Sequence, residues 1–177
     1  MPSKVIFLDR DGTLNVDHGY VHTQEMWEWI PGAIDACKKL QDTGYVLAVI
    51  TNQSGIAHGL YTLEDMHALH KFMEQELEEH GVHLAFIAFC PHSRSQGECD
   101  CRKPGIGMAK QIEAKVGEID YAASWTIGDK EADLIFGKTA GTKTALIRSQ
   151  YWQEGNLSAK PDLIVDSLQE AAKIIVG

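Results

Sequence analysis

Asp9 and Asp11, separated by one residue, follow the apolar run Val5-Ile6-Phe7-Leu8 and lead into Gly12-Thr13. Side chains of an extended strand repeat every two residues, so both carboxylates can face one point beyond the strand's carboxyl end while Arg10 points elsewhere. One carboxylate can attack phosphorus and become an aspartyl-phosphate. The other can protonate the leaving oxygen and later take a proton from water. The pair also suits Mg²⁺, which favours one or two carboxylates together with phosphate oxygens and water. A plain polar turn uses the same residue types; the buried strand in front of them favours chemistry.

Three later segments offer partners. Thr51-Asn52-Gln53-Ser54-Gly55 follows the apolar stretch Tyr45 to Ile50, where hydroxyls, amides and backbone donors can cradle a phosphate. A strand-ending loop has a similar composition. Gly128-Asp129-Lys130 follows Trp125-Thr126-Ile127, with Asp133 one helical turn after Asp129, so three carboxylate positions would surround one divalent cation and Lys130 would balance part of their charge. The competing reading makes Asp129 a helix cap, with acidic residues in the first turn. Lys103 can lessen the repulsion between an anionic nucleophile and an anionic substrate. Arg102 can fork two donors onto a second phosphate or a sugar hydroxyl.

Cys90-Pro91-His92, six intervening residues, then Cys99-Asp100-Cys101 supply three thiols and an imidazole. Tetrahedral zinc favours such ligands, and a site with four protein ligands leaves no position for water, so the role would be structural. A disulfide from Cys90 to a later cysteine is the alternative, disfavoured in a reducing compartment. Cys37 stands alone in an apparent helix and reads as packing. Among the histidines, His18 and His58 lie in loops already implicated.

These loops need a scaffold. Apolar runs alternate with segments of helical period, the pattern of a mostly parallel sheet covered by helices. Strands are expected near 4–9, 45–51, 83–89, 124–128, 143–147 and 162–165, and helices near 32–43, 63–80, 105–116, 130–140 and 167–176. Gly44 suits the left-handed position ending the first helix, and Thr62 a cap opening the second. In such sheets the ligand site forms from loops after the strands' carboxyl ends. The length of 177 residues fits one domain, and 44% apolar with 23% charged residues is a soluble globular balance. The expectation is a cytoplasmic protein without signal peptide or membrane span. A net charge of −9 argues against nucleic acid or an anionic membrane as partner.

Asp9-x-Asp11-Gly12-Thr13, Thr51-Asn52, Lys103-Pro104 and Gly128-Asp129-Lys130 together resemble the four ordered motifs of the haloacid dehalogenase superfamily of phosphatases. Asp17-His18-Gly19-Tyr20-Val21-His22, the stretch Thr51 to Ala57, Cys90-Pro91-His92 and the stretch Cys99 to Pro104 narrow the likeness to its heptose bisphosphate phosphatase family, over nearly the whole chain. The resemblance implies a Rossmann-like three-layer α/β sandwich with a mostly parallel sheet and no large cap, one domain over residues 1–177 with a zinc loop at 90–103.

It further implies Asp9 as nucleophile, Asp11 as general acid and base, and Mg²⁺ on Asp9, the Asp11 backbone carbonyl and Asp129. Thr51 and Lys103 would hold the transferring phosphoryl group and Arg102 would recognise the substrate. Asp17, His18, Gly19, Tyr20, Asn52, Gln53, Ser54 and Lys130 would line the sugar site, with Asp9, Arg10 and Asp11 contacting substrate as well. Cys90, His92, Cys99 and Cys101 align with the family's structural zinc ligands. The implied reaction is removal of the 7-phosphate from D-glycero-D-manno-heptose 1,7-bisphosphate, in ADP-heptose and lipopolysaccharide-core precursor synthesis, by a cytoplasmic monomer. Histidinol-phosphate phosphatase is the rival; Arg102 favours the bisphosphate, because a cation beside an amine is unfavourable. A zinc-stabilised binding module without chemistry is a third reading. Gly105-Ile106 and the short His92 to Cys99 stretch depart from the family pattern at non-catalytic positions, and bear on how the loop closes on the sugar and on anomer preference.

Overall fold

The computed structural model describes residues 1–177. Six parallel strands form one sheet: β1 (Val5–Leu8), β2 (Val46–Asn52), β3 (Leu84–Cys90), β4 (Trp125–Gly128), β5 (Lys143–Ile147) and β6 (Leu163–Val165), in the order β3-β2-β1-β4-β5-β6. Five helices connect them: α1 (Ala33–Asp42), α2 (Leu63–Glu79), α3 (Gly107–Val116), α4 (Glu131–Ala140) and α5 (Leu168–Val176). Strand alternation divides the core in two. Ile6, Leu8 and Val49 pack with Leu40 of α1, Met73 of α2 and Leu168 of α5. Val5, Phe7 and Ile50 pack on the other face with Met108 and Ile112 of α3 and Phe136 of α4. The result is the three-layer α/β sandwich. Ile6, Phe7 and Leu8 are fully buried, each contributing about 1.5–3 kcal/mol of transfer free energy.

The helix ends follow local chemistry. Thr62 caps α2, its hydroxyl accepting from the Asp65 N–H while the Asp65 carboxylate accepts from the Thr62 N–H. Gly44, at φ 90°, ends the α1 segment in the left-handed conformation that glycine tolerates. Helix α3 begins at Gly107 rather than 105, because Gly105 N–H turns back to the Arg102 carbonyl (2.8 Å) and Gly107 N–H to that of Asp100 (2.7 Å). Cys37 is buried in the core. No helix is long and apolar enough to cross a membrane.

The strand order sets the site. The chain moves from β1 outward to β3, then crosses back to β4 on the other side of β1 and continues to β6. Neighbouring loops diverge where the order reverses, leaving a crevice outside the carboxyl ends of β1 and β4. Leu8 pairs with Ile127 there, and the next residue on β1 is Asp9.

Candidate active site

Asp9 N–H donates to the Ile127 carbonyl at 3.0 Å, holding the end of β1 against Gly128-Asp129. Carboxylate oxygens of Asp9, Asp129 and Asp133 lie within 4.8 Å of one another, and all three residues are buried. Two glycines permit this convergence. A Cβ on Gly12, whose φ is +84°, would stand 2.1 Å from Asp129 Oδ2, and one on Gly128 would stand 2.2 Å from Asp133 Oδ2.

Asp133 is also engaged by protein donors. Lys103 Nζ donates to Asp133 Oδ1 at 2.6 Å, to Asp9 Oδ1 at 2.8 Å and to the Ile50 carbonyl at 2.9 Å. Asp133 Oδ2 accepts from the Lys130 N–H at 3.1 Å, closing the start of α4. Lys130, not Asp129, is therefore the N-cap residue. Asp129 Oδ1 is buried without a hydrogen-bond partner, and Lys130 Nζ stands 3.8 Å from it and 3.8 Å from Asp17 Oδ2. An orphaned oxygen on a carboxylate clustered with Asp9 is a fitting place for a hard cation.

Electrostatics separate the two acids. Burial opposes ionisation of Asp9, but the Lys103 and Lys130 charges hold its carboxyl below the ordinary range. Burial first, and then the Asp9 charge, pushes Asp129 up to about 9. A divalent cation would reverse that and keep both carboxylates ionised. Lys103 is likewise buried, yet Asp133 and Asp9 raise its pKa, so it stays an ammonium.

The Asp11 side chain faces a different set of donors. Its Oδ1 accepts from Arg10 Nη2 at 2.9 Å and Asn15 Nδ2 at 3.0 Å; its Oδ2 accepts from Gln53 Nε2 at 3.3 Å. The Arg10 side chain does not line the cleft. It is 1% exposed and runs from β1 to α2, where Nη1 lies 3.1 Å from His70 Nε2. The alternation that aims Asp9 and Asp11 outward sends the residue between them the other way.

Above the carboxylates lies a cleft of about 330 Å³. The loop after β1 contributes Asp17, Gly19 and Tyr20, and the end of β2 and the loop after it contribute Asn52, Gln53 and Ser54. Arg102 and Lys130 supply its positive charge. Asn52 also braces Lys103, its Oδ1 accepting from the Lys103 N–H (3.0 Å) and its Nδ2 donating to the Lys103 carbonyl (3.3 Å). Thr51 is buried beneath, where Oγ1 accepts from Gln53 Nε2 at 2.7 Å, leaving its O–H to donate. His18 does not line the cleft; its Nε2 is 3.3 Å from Glu28 on the outer surface. His58 stands edge-on to Tyr20, ring centroids 6.3 Å apart.

Two lining residues were missed in the sequence. Tyr61 donates to Gln53 Oε1, and Tyr151 donates to Asp17 Oδ2 at 2.8 Å with Lys130 Nζ 4.6 Å from its ring centre. Tyr151 follows β5, so its place after a strand's carboxyl end was a usable signal. Nothing local marks Tyr61 apart from other aromatic residues.

At the end of β3, His92 Nδ1 lies 3.4 Å from Cys90 Sγ and 3.3 Å from Cys101 Sγ, and Cys90 Sγ lies 3.7 Å from Cys99 Sγ. Ligand sulfurs about 2.3 Å from a tetrahedral zinc stand roughly 3.8 Å apart. All four cysteines are free, so the disulfide alternative is not realised. Arg102 Nη1 donates to the His92 carbonyl at 3.3 Å, tying the cleft's basic edge to this cluster. A Cβ on Gly107 would stand 2.5 Å from the Asp100 carbonyl oxygen, so the loop sits directly on the start of α3.

Comparison with known proteins gives a consistent result. A family model described as HAD-hydrolase-like matches residues 100–171. The chain is 46% identical over 175 residues to the D-glycero-beta-D-manno-heptose-1,7-bisphosphate 7-phosphatase of Haemophilus ducreyi, covering 95% of this chain and 96% of that protein. It is 42% identical to the Yersinia pestis protein of the same name, covering 96% and 94%. The crystal structure of the D,D-heptose 1,7-bisphosphate phosphatase from B. bronchiseptica, complexed with magnesium and phosphate, superposes with a TM-score of 0.85 at 30% identity over 98% of each chain. Similarity of this level over nearly the whole length of both chains shows that the chain belongs to the D-glycero-beta-D-manno-heptose-1,7-bisphosphate 7-phosphatase family, phosphate-ester hydrolases of the haloacid dehalogenase-like fold.

Proposed function

We propose that the chain removes the 7-phosphate from D-glycero-D-manno-heptose 1,7-bisphosphate through an aspartyl-phosphate on Asp9, as a step toward ADP-heptose. The observation that carries this reading is Asp9 itself: an ionised, buried carboxylate, 2.8 Å from Lys103 Nζ, at the foot of a cleft that holds Arg102 and Lys130. An Asp9 oxygen attacks phosphorus while the ester oxygen departs with a proton from Asp11. Asp11 then takes a proton from water, whose oxygen attacks the same phosphorus, and inorganic phosphate leaves with Asp9 restored. Lys103 and the Thr51 hydroxyl hold the transferring group and offset its charge. Asp9, the Asp11 backbone carbonyl and Asp129 would hold Mg²⁺, which would supply further neutralisation of the transferring group's negative charge.

Arg102, at the cleft rim, is the group suited to the second phosphate, with Asp17, Gly19, Tyr20, Asn52, Gln53, Ser54 and Lys130 around the sugar. Cys90, His92, Cys99 and Cys101 would bind a structural zinc whose four positions are all protein ligands. The zinc orders the loop at 90–103 and with it Arg102 and Lys103. Residues 1–177 act as one phosphatase domain without a large cap, a cytoplasmic monomer whose partner is a small sugar bisphosphate rather than nucleic acid or membrane.

Phosphate release from the heptose bisphosphate and from histidinol phosphate, each with Mg²⁺, tests the reading. The bisphosphate should be hydrolysed at least tenfold faster in kcat/KM, leaving the 1-phosphate on the product. Preference for histidinol phosphate would transfer the assignment to the rival substrate, and no release from either would leave only a binding module. Running both bisphosphate anomers side by side resolves the configuration at C1.

A further inference from the structure

Arg10 is among the most deeply buried side chains in the molecule, although it carries a charge and does not touch the cleft. A cation kept out of water must be paired, and Arg10 is, although its Nε has no hydrogen-bond partner. The carboxylate on Arg10 is that of Asp11, at 2.9 Å from Nη2 to Oδ1. The same Nη2 donates to the Val21 carbonyl at 2.7 Å, and Nη1 lies 3.1 Å from Nε2 of His70, a residue of α2 that is itself 4% exposed. A guanidinium has no lone pair, so this contact requires His70 Nε2 to be the unprotonated acceptor. The guanidinium is thus fixed from three sides.

The consequence falls on Asp11. Its Oδ1 faces two groups that can only donate, Arg10 Nη2 and Asn15 Nδ2 at 3.0 Å, so a proton has no favourable place there. Its Oδ2 meets a single, longer contact from Gln53 Nε2, on the side where Gln53 lines the cleft. We propose that Arg10, braced by His70, is a positioning residue that fixes the Asp11 carboxylate so that Oδ2 is the oxygen exchanging the proton with the leaving group and with water. This rests on the acid–base role given to Asp11 above.

The test uses leaving groups that differ in their need for a proton. A sugar alkoxide must be protonated as it departs; p-nitrophenolate leaves without help. Single-turnover release from the heptose bisphosphate and the pre-steady-state burst of p-nitrophenolate from p-nitrophenyl phosphate are measured for the wild type, Asp11→Asn, Arg10→Lys, His70→Leu and His70→Gln. His70→Leu and Arg10→Lys should slow the sugar reaction about tenfold, a fraction of the full acid–base contribution, and change the burst rate by less than about twofold. KM for the bisphosphate should stay unchanged, and His70→Gln, which keeps an acceptor, should recover most of the loss. Arg10→Lys supplies the same reading should His70→Leu not fold. Equal losses on both substrates, unaltered rates on both, or a rise in KM alone would overturn the proposal. Asp11→Asn without any leaving-group difference would instead remove the acid–base reading beneath it, whereas that difference in Asp11→Asn alone would remove only the positioning role.

Discussion

At the scale of single residues, the site works by giving neighbouring carboxyls different surroundings. Asp9 is held ionised by Lys103, while Asp11 is held by neutral amides and one guanidinium. Asp9→Asn removes the proposed nucleophile without emptying the site, because Lys103 keeps Asp133 as partner. Turnover should fall by about 10⁴-fold or more, with an unchanged melting transition; near-normal phosphate release from that variant would end the assignment. His70 gives a pH signature. Burial first, and then the Arg10 charge, pulls its pKa from 6.5 down to about 3, so the folded protein keeps it neutral where the unfolded chain protonates it. The unfolded state therefore binds more protons between these values, and stability is lost as pH falls from 6.5 toward 3. His70→Gln should lose less stability there than the wild type, with a difference in slope approaching about 1.4 kcal/mol per pH unit. Parallel denaturation curves across that range would show that His70 does not titrate in this way.

At the scale of elements, the groups proposed to carry chemistry sit at the carboxyl ends of strands or on the loops that follow them. Lys103 reaches the end of β1 because its backbone is clipped to Asn52 at the end of β2, and because the loop before it converges on Cys90 at the end of β3. Neither anchor lies next to Lys103 in space by virtue of sequence neighbourhood alone. The zinc cluster is accordingly expected to govern activity indirectly. Cys99→Ser should lower zinc content per chain, raise protease sensitivity within residues 91–100, and reduce activity by about 10-fold. Full zinc occupancy by metal analysis in that variant would remove Cys99 from the ligand set. The helices behave as the apolar spacing requires, and their small boundary differences have local causes. The Asp100 carbonyl captures Gly107 N–H, so α3 starts two residues late.

At the scale of the whole molecule, the crevice exists because the strand order reverses between β1 and β4. That reversal joins Asp9 to Asp129, 120 positions later in the chain, and leaves Asp129 Oδ1 without a hydrogen-bond partner. A cation binding there binds only the folded protein. Mg²⁺ at a hundred times its Kd should add about 2.7 kcal/mol of stability, a rise of roughly 5–10 °C in Tm for a chain of this size. Asp129→Asn should lose most of that rise; an identical Mg²⁺ shift in the variant would place the ion elsewhere. The sequence by itself determined the alternation of strands and helices, the outward aim of Asp9 and Asp11, and the loops that carry chemistry, since periodicity and turn chemistry are local properties. Only the tertiary structure decided that Asp133 pairs with Lys103, that Arg10 and His70 stand behind Asp11, and that Tyr61 and Tyr151 complete the cleft. Those pairings join residues distant in the chain. Their energy comes from burial and from partners that exist only once the sheet has closed.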